Sequence, residues 1–193
     1  MKSIQEFCDT HKACQDGREW ALTNCKSMLE VWEKAKPEWL LWIATRKKVL
    51  TDQELRLFAV YCARQVQHLM PGWWSINAIN VAEKFANGQA TAEQLAAASS
   101  AARDVSRDAS KAAAVLARVK PTATVEAAAE AAFVACAVSR VEAKEAACAA
   151  SWDAARATAW NTFENTYRNE TWYATRVEHM DWLRKNTNPN FGD

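Results

Sequence analysis

Residues 91–119 read TAEQLAAASSAARDVSRDASKAAAVLARV, and the fold follows from this stretch. Leu95, Ala98, Ala102, Val105, Ala109, Ala112, Leu116 and Val119 succeed one another in alternating steps of three and four. A repeat of about 3.5 residues keeps one apolar seam turned toward a partner helix. Arg103, Asp104, Arg107, Asp108 and Lys111 fall on the opposite face. The pairs Asp104/Arg107 and Asp108/Lys111 are helical neighbours, each contributing roughly 0.2–0.5 kcal/mol. Alanine in a seam buries little area, but it lets helix axes approach to about 8 Å.

Downstream, Lys120-Pro121 ends this helix and reverses the chain. The stretch from Thr124 to Arg168 has few breakers and reads as one helix, continuous or bent. At about 100° per residue, Val134, Val138, Val141, Cys148, Trp152, Trp160, Phe163 and Tyr167 form one stripe. Asn169 and Thr171 mark a break, and a terminal helix runs to about Lys185. The tail NTNPNFGD reads as turn-like and frayed.

Upstream, the character is different. Ser3 with Glu6 and Thr51 with Glu54 are capping boxes, and Ser27 with Glu30 starts a helix that ends before Pro37. Gly17 reads as an interruption. Pro37 suits the first turn of PEWLLWIATR, whose Trp39 and Trp42 read as core. Leu55, Phe58, Cys62, Val66 and Leu69 recur at helical spacing. Pro71-Gly72 is a turn, Ser75 a cap, and Asn87-Gly88 a left-handed helix end.

The whole chain has 193 residues, half of them hydrophobic, with 39 alanines, ten tryptophans and only four each of Gly and Pro. So few turn residues exclude most β architectures. The expected fold is all-α: a single-domain helical bundle over residues 1–193. Long Ala-rich antiparallel helices (89–186) pack on a Trp-rich half of short helices (1–88), and 187–193 form a tail. Twenty-four basic against 23 acidic residues leave +1, which argues against broad nucleic-acid binding. The amino terminus MKSIQEFCDTHK has no apolar signal-peptide core, and no apolar run reaches the roughly 18–20 residues of a membrane span. Three of the six cysteines sit within apparent helices, which favours reduced thiols in a cytoplasm over disulfides.

Chemistry-bearing patterns are few. Cys8, His11 and Cys14, with Cys25, carry zinc-type ligands but lack paired CxxC knuckles, so no metal site is assigned. Cys62 and His68 are six residues apart and cannot meet on one helix, and His179 has no signalled partner. No phosphate loop, HExxH or EF-hand pattern occurs. Glu145 and Arg156 project within the long apolar stripe about 16 Å apart, so each pairs with another helix or lines a pocket. Of Trp73-Trp74, one ring is expected to tuck in and the other to face solvent as an interface anchor. Trp172 and Trp182 on the terminal helix are further contact candidates.

Trp20-Ala21, Trp39-Leu40-Leu41-Trp42-Ile43-Ala44, Leu55-Arg56-Leu57 with Cys62-Ala63-Arg64, and Val81-Ala82-Glu83 leading to Ala86-Asn87-Gly88 recur in this order. Together with the Ala-rich helices, these segments resemble a family of uncharacterised proteins from tailed phages and prophages, whose bacterial relatives carry an immunity-protein label. The resemblance spans roughly residues 18–160. It implies an all-helical fold and brings no catalytic residues, and Trp73-Trp74 departs from the polar residues of similar sequences.

The reading that unites these points is a non-enzymatic phage accessory protein without a cofactor. It binds a host or defence-system protein, as an inhibitor, in the host cytoplasm, with no membrane or nucleic-acid partner. The alternatives are a self-associating structural protein, a homodimer paired along the 95–119 seam, and a ligand-binding protein or enzyme with Glu145 and Arg156 in an interhelical pocket.

Overall fold

The computed structural model describes residues 3–70, 72–119, 123–140, 142–161 and 168–192, with side-chain surroundings for all of these except 113, 116–119 and 123–125. Among the described residues there are ten α-helices, one short 3-10 turn and no strand. The chain is all-helical, and its helices pack on one another. It divides into two compact units: Met1–Thr51 with Met180–Asp193, and Asp52–His179.

The first unit holds α1 (Ile4–His11), α2 (Gln15–Asn24), α3 (Met28–Lys34) and α4 (Pro37–Ala44). The starts of α1, α3 and α4 are those expected from the sequence. The Glu6 amide donates to Ser3 Oγ at 3.1 Å, and the Ser3 amide to Glu6 Oε2 at 2.8 Å. The Glu30 amide donates to Ser27 Oγ at 3.2 Å, and Pro37 occupies the first turn of α4. Gly17, however, lies inside α2 and does not interrupt it. What the missing side chain provides is room: a Cβ there would sit 3.2 Å from Cys14 Sγ and 3.6 Å from Trp39 Nε1.

Phe7, Met28, Trp32 and Leu40 are buried at the centre of this unit. The tail is not frayed, because it adds to that core. Phe191 is 5% exposed, with ring centroids 5.8 Å from Phe7 and 6.0 Å from Trp32. The Asn190 amide donates to the Val49 carbonyl at 2.8 Å. Arg184 donates to the Trp32 carbonyl at 3.1 Å and the Ala35 carbonyl at 2.7 Å, closing the end of α3.

The second unit contains α5 (Asp52–Gln65), a 3-10 turn at Gln67–Leu69, α6 (Gly72–Ala86), α7 (Ala92–Val119), α8 (Ala123–Val138) and α9 (Ala143–Trp160). The last helix, α10 (Arg168–Asn186), belongs to this unit up to His179. α5, α7 and α9 pack around α8, and α6 packs on α5 and α7. Pairs joined by so few residues as α7/α8 and α8/α9 run antiparallel. Small side chains make this possible: Ala146, Ala147, Ala150, Ser151, Ala154, Ala155 and Ala157 of α9 are all fully buried. The α7 seam is buried at Leu95, Ala98 and Ala102, half-buried at Val105 and Ala109, and exposed at Ala112. The side chains of Leu116 and Val119 and the break at Lys120-Pro121 lie outside the described residues.

Among the described residues, the stretch read as one helix, continuous or bent, from Thr124 to Arg168 holds two helices, α8 and α9, before α10 starts at Arg168. α8 stops at Val138, where Ser139 Oγ donates back to the carbonyls of Ala135 and Cys136 at 3.1 and 3.0 Å. Arg56 takes up the Arg140 carbonyl at 3.0 Å. The interruption resets the helical phase, so the single stripe does not hold: Cys148 is exposed and Trp152 is 47% exposed. Val141, Phe163 and Tyr167 lie outside the described residues. No described helix is long and apolar enough to cross a membrane.

Candidate functional site

Gly72 opens α6 with φ +74°, a conformation glycine adopts without strain. α6 then buries Ser75, Ala78, Ile79, Ala82 and Ala86 on one face. Ser75 is thus a core residue, not the cap. At about 100° per residue, neither position 73 nor position 74 falls on the buried face. Both rings face solvent, Trp73 at 62% and Trp74 at 53%, with centroids 4.8 Å apart in an edge contact. The expectation that one would tuck in is corrected on this point. Trp74 continues into a groove of about 360 Å³ between α6 and α7, lined also by Val81, Lys84, Gln94 and Ala98.

Trp172 and Trp182 are half-buried. Trp172 meets Trp152 edge-on at 5.3 Å, and the Arg176 guanidinium lies 4.9 Å from the Trp172 ring and 5.5 Å from the Trp152 ring. Trp172 is thus engaged within its own unit, and it is Trp152 that presents its ring outward.

Glu145 is exposed rather than part of an apolar face. Arg156 is also exposed, and its guanidinium donates to Glu130 Oε1 on α8 at 2.7 Å. The two therefore do not share a pocket. The more perturbed acid beside them is Asp153, which sequence reading passed over. Burial, then the nearby Glu130, push its carboxyl up to about 6, with Arg156 and Arg140 opposing.

The amino-terminal sulfur and imidazole groups also part company. Cys8 and Cys25 are buried and Cys14 is exposed, while the His11 ring packs 4.5 Å from Phe7. Cys25 borders a different depression from Cys8 and Cys14. Among the described residues, no group of three His, Cys, Asp or Glu side chains is placed to hold a metal ion.

His179 does find a partner that no spacing signalled. Ser151 Oγ on α9 lies 3.1 Å from His179 Nδ1, and Ser151 also bonds to the Cys62 thiol of α5. These are the residue types of a nucleophilic site, yet all three are completely buried. Burial first, then Arg176, lower the His179 ring to about 4, so it is neutral near pH 7. Burial raises the Cys62 thiol well above its ordinary value. The Phe58 and Tyr61 rings stand edge-on to the imidazole at 6.3 and 6.1 Å. His179 Nε2 is buried without a hydrogen-bond partner. A bare acceptor costs less there than an orphaned donor, so the favoured tautomer carries its proton on Nδ1, donating to Ser151. The cluster is a sealed polar contact between helices, closed to any substrate.

The first unit holds a cavity of about 330 Å³ that sequence reading missed. Its walls include Phe7, Trp20, Trp39 and Trp42, with Cys8, Cys14, Lys12 and Glu38 as the polar groups. Trp39 and Trp42, read as core, are only half-buried because they form this wall. Trp20 and Trp39 meet at 5.2 Å and 45°, and Phe7 and Trp42 at 6.3 Å and 82°. Compared with protein-family models, curated proteins and solved structures, the chain matches none.

Proposed function

We propose that this chain is a non-enzymatic protein that acts by docking on another protein through the Trp73–Trp74 corner of α6. Following the resemblance to tailed-phage proteins, its partner is a host or defence-system protein that it inhibits in the host cytoplasm. The observation that carries the reading is the pair of adjacent indoles held in solvent at the start of a rigid helix. Exposed rings of this size lose apolar hydration on contact, and Trp is enriched where binding energy concentrates. The groove beside Trp74 supplies polar groups, Gln94 and Lys84, at the edge of such a contact. The burial of Ser151, His179 and Cys62 supports a role without chemistry.

Capture from host lysate identifies a partner, which is then purified and titrated. Trp73→Ala with Trp74→Ala is expected to weaken that binary affinity by about thirtyfold. Because both rings are exposed, stability should stay within about 0.5 kcal/mol. Unchanged affinity, or unchanged phage plating on defended hosts after the double substitution, would remove the basis of the proposal.

A second reading, self-association along α7, draws on the helix beyond Ala109, where the seam residue Ala112 is exposed and Val115, outside the seam, is 61% exposed. Light scattering at high concentration decides it, since a strict monomer eliminates the pairing.

A further inference from the structure

We propose that the aromatic cavity of the first unit is a binding site for a small methylated ammonium ion, with Glu38 as its counter-charge. The volume of about 330 Å³ lies at the small end of ligand pockets, which run roughly 300–1,000 Å³. Ring geometry narrows the shape. A flat heterocycle needs two parallel rings to lie between, whereas here the indole pair meets at 45° and the Phe7–Trp42 pair at 82°. Two ring pairs that each meet at an angle leave no flat slot, so the space suits a compact, rounded group.

Ring electrostatics narrow the charge. Four aromatic side chains present π-systems whose faces attract cations and repel anions. Two of these indoles already hold cations of the chain itself. Lys36 Nζ lies 4.2 Å from the Trp39 ring and the Arg46 guanidinium 4.6 Å from the Trp42 ring. A primary ammonium entering the cavity would need acceptors for three N–H groups, and the lining offers one carboxylate, Glu38. Methyl groups remove that demand and add apolar surface. Glu38 is fixed on the first turn of α4, while Lys12, the cation of the lining, is exposed and screened by water. Gly17 also lines the cavity, beside Cys14 and Trp39.

The test titrates the full chain by calorimetry with choline and with its uncharged isostere, in which a tert-butyl group replaces trimethylammonium. Protection of Cys14 from alkylation, mapped by mass spectrometry, reports occupancy of this cavity. The expected result is saturable choline binding that protects Cys14, with the isostere at least about tenfold weaker, as a desolvated cation–π contact requires. Glu38→Gln should weaken choline by about tenfold and leave the isostere unchanged. Trp39→Ala, which removes one ring of the wall, should weaken choline by at least about tenfold; if that variant fails to fold, Glu38→Gln decides alone. Equal affinity for choline and the isostere, no saturable choline binding, or indifference to Glu38→Gln would each overturn the proposal.

Discussion

The two units solve the same problem, burying helices, with opposite materials. The first uses broad rings: Phe7, Trp32, Phe191 and the indole wall of Trp20, Trp39 and Trp42. The second keeps larger side chains such as Phe58, Ile79, Val134 and Val138 in its core, but closes α9 against its neighbours through a fully buried set of alanines and one serine. Rigid rings meeting at steep angles cannot tile space, and they leave an opening large enough for a ligand. Methyl-sized side chains let backbones close directly on one another, and polar groups that fall inside must satisfy each other. Cavity and sealed polar cluster are therefore two consequences of composition.

The comparison can be broken most forcefully at Phe191. If rings hold the first unit, Phe191→Ala should cost about 4 kcal/mol in chemical denaturation, the usual loss for a buried ring. A loss below about 1 kcal/mol, the scale of a frayed surface position, would mean the tail is not part of that core.

Acid sharpens the contrast for the second unit. His179 is held at about 4 against an ordinary 6.5. Between those values the unfolded chain takes up a proton that the folded chain refuses, so stability falls as pH drops. The loss approaches about 3 kcal/mol near pH 4. Asp153 acts the other way: raised from 3.8 to about 6, it keeps a proton in the fold that the unfolded chain releases, which stabilises the fold as pH drops through the same window. Asp153→Asn should therefore lose more stability than the parent between pH 7 and 4 in urea titrations, and His179→Gln less. The reverse order would mean that the two groups are not buried as described.

A smaller effect separates the two packing modes directly. Ala150→Leu forces volume into a closed alanine interface and should cost about 2 kcal/mol, whereas Ala21→Val, on the cavity wall, should stay within about 1 kcal/mol. Equal costs measured by thermal unfolding would erase the difference in free space.

Local signals were read well where they are local. The capping box of α1, the Ser27 cap of α3, Pro37 and the left-handed end at Gly88 depend on residues within one turn of each other. The errors share a cause. The long stripe assumed one helical phase through Ser139, yet a hydroxyl bonding back to its own helix and a carbonyl taken by distant Arg56 ended it. Gly17 reads as a breaker by propensity, yet it sits inside α2, where a Cβ would crowd only Cys14 Sγ. At Trp73-Trp74 an aromatic pair after a turn signalled one exposed ring, and that both face solvent was decided by which face α6 buries. The cavity was not, because Trp39 and Trp42 look identical in sequence whether their outer faces meet protein or space.

Sequence alone determined that this chain is helical, where most helices begin and which face of α7 starts its seam, since periodicity and capping are properties of neighbouring residues. Only tertiary structure decided that Ser151 reaches His179 and Cys62, that Phe191 is core, and that three indoles enclose a cavity. Those outcomes depend on which distant surfaces meet and at what angle, and nothing in the spacing of residues along a chain encodes the space left between its helices.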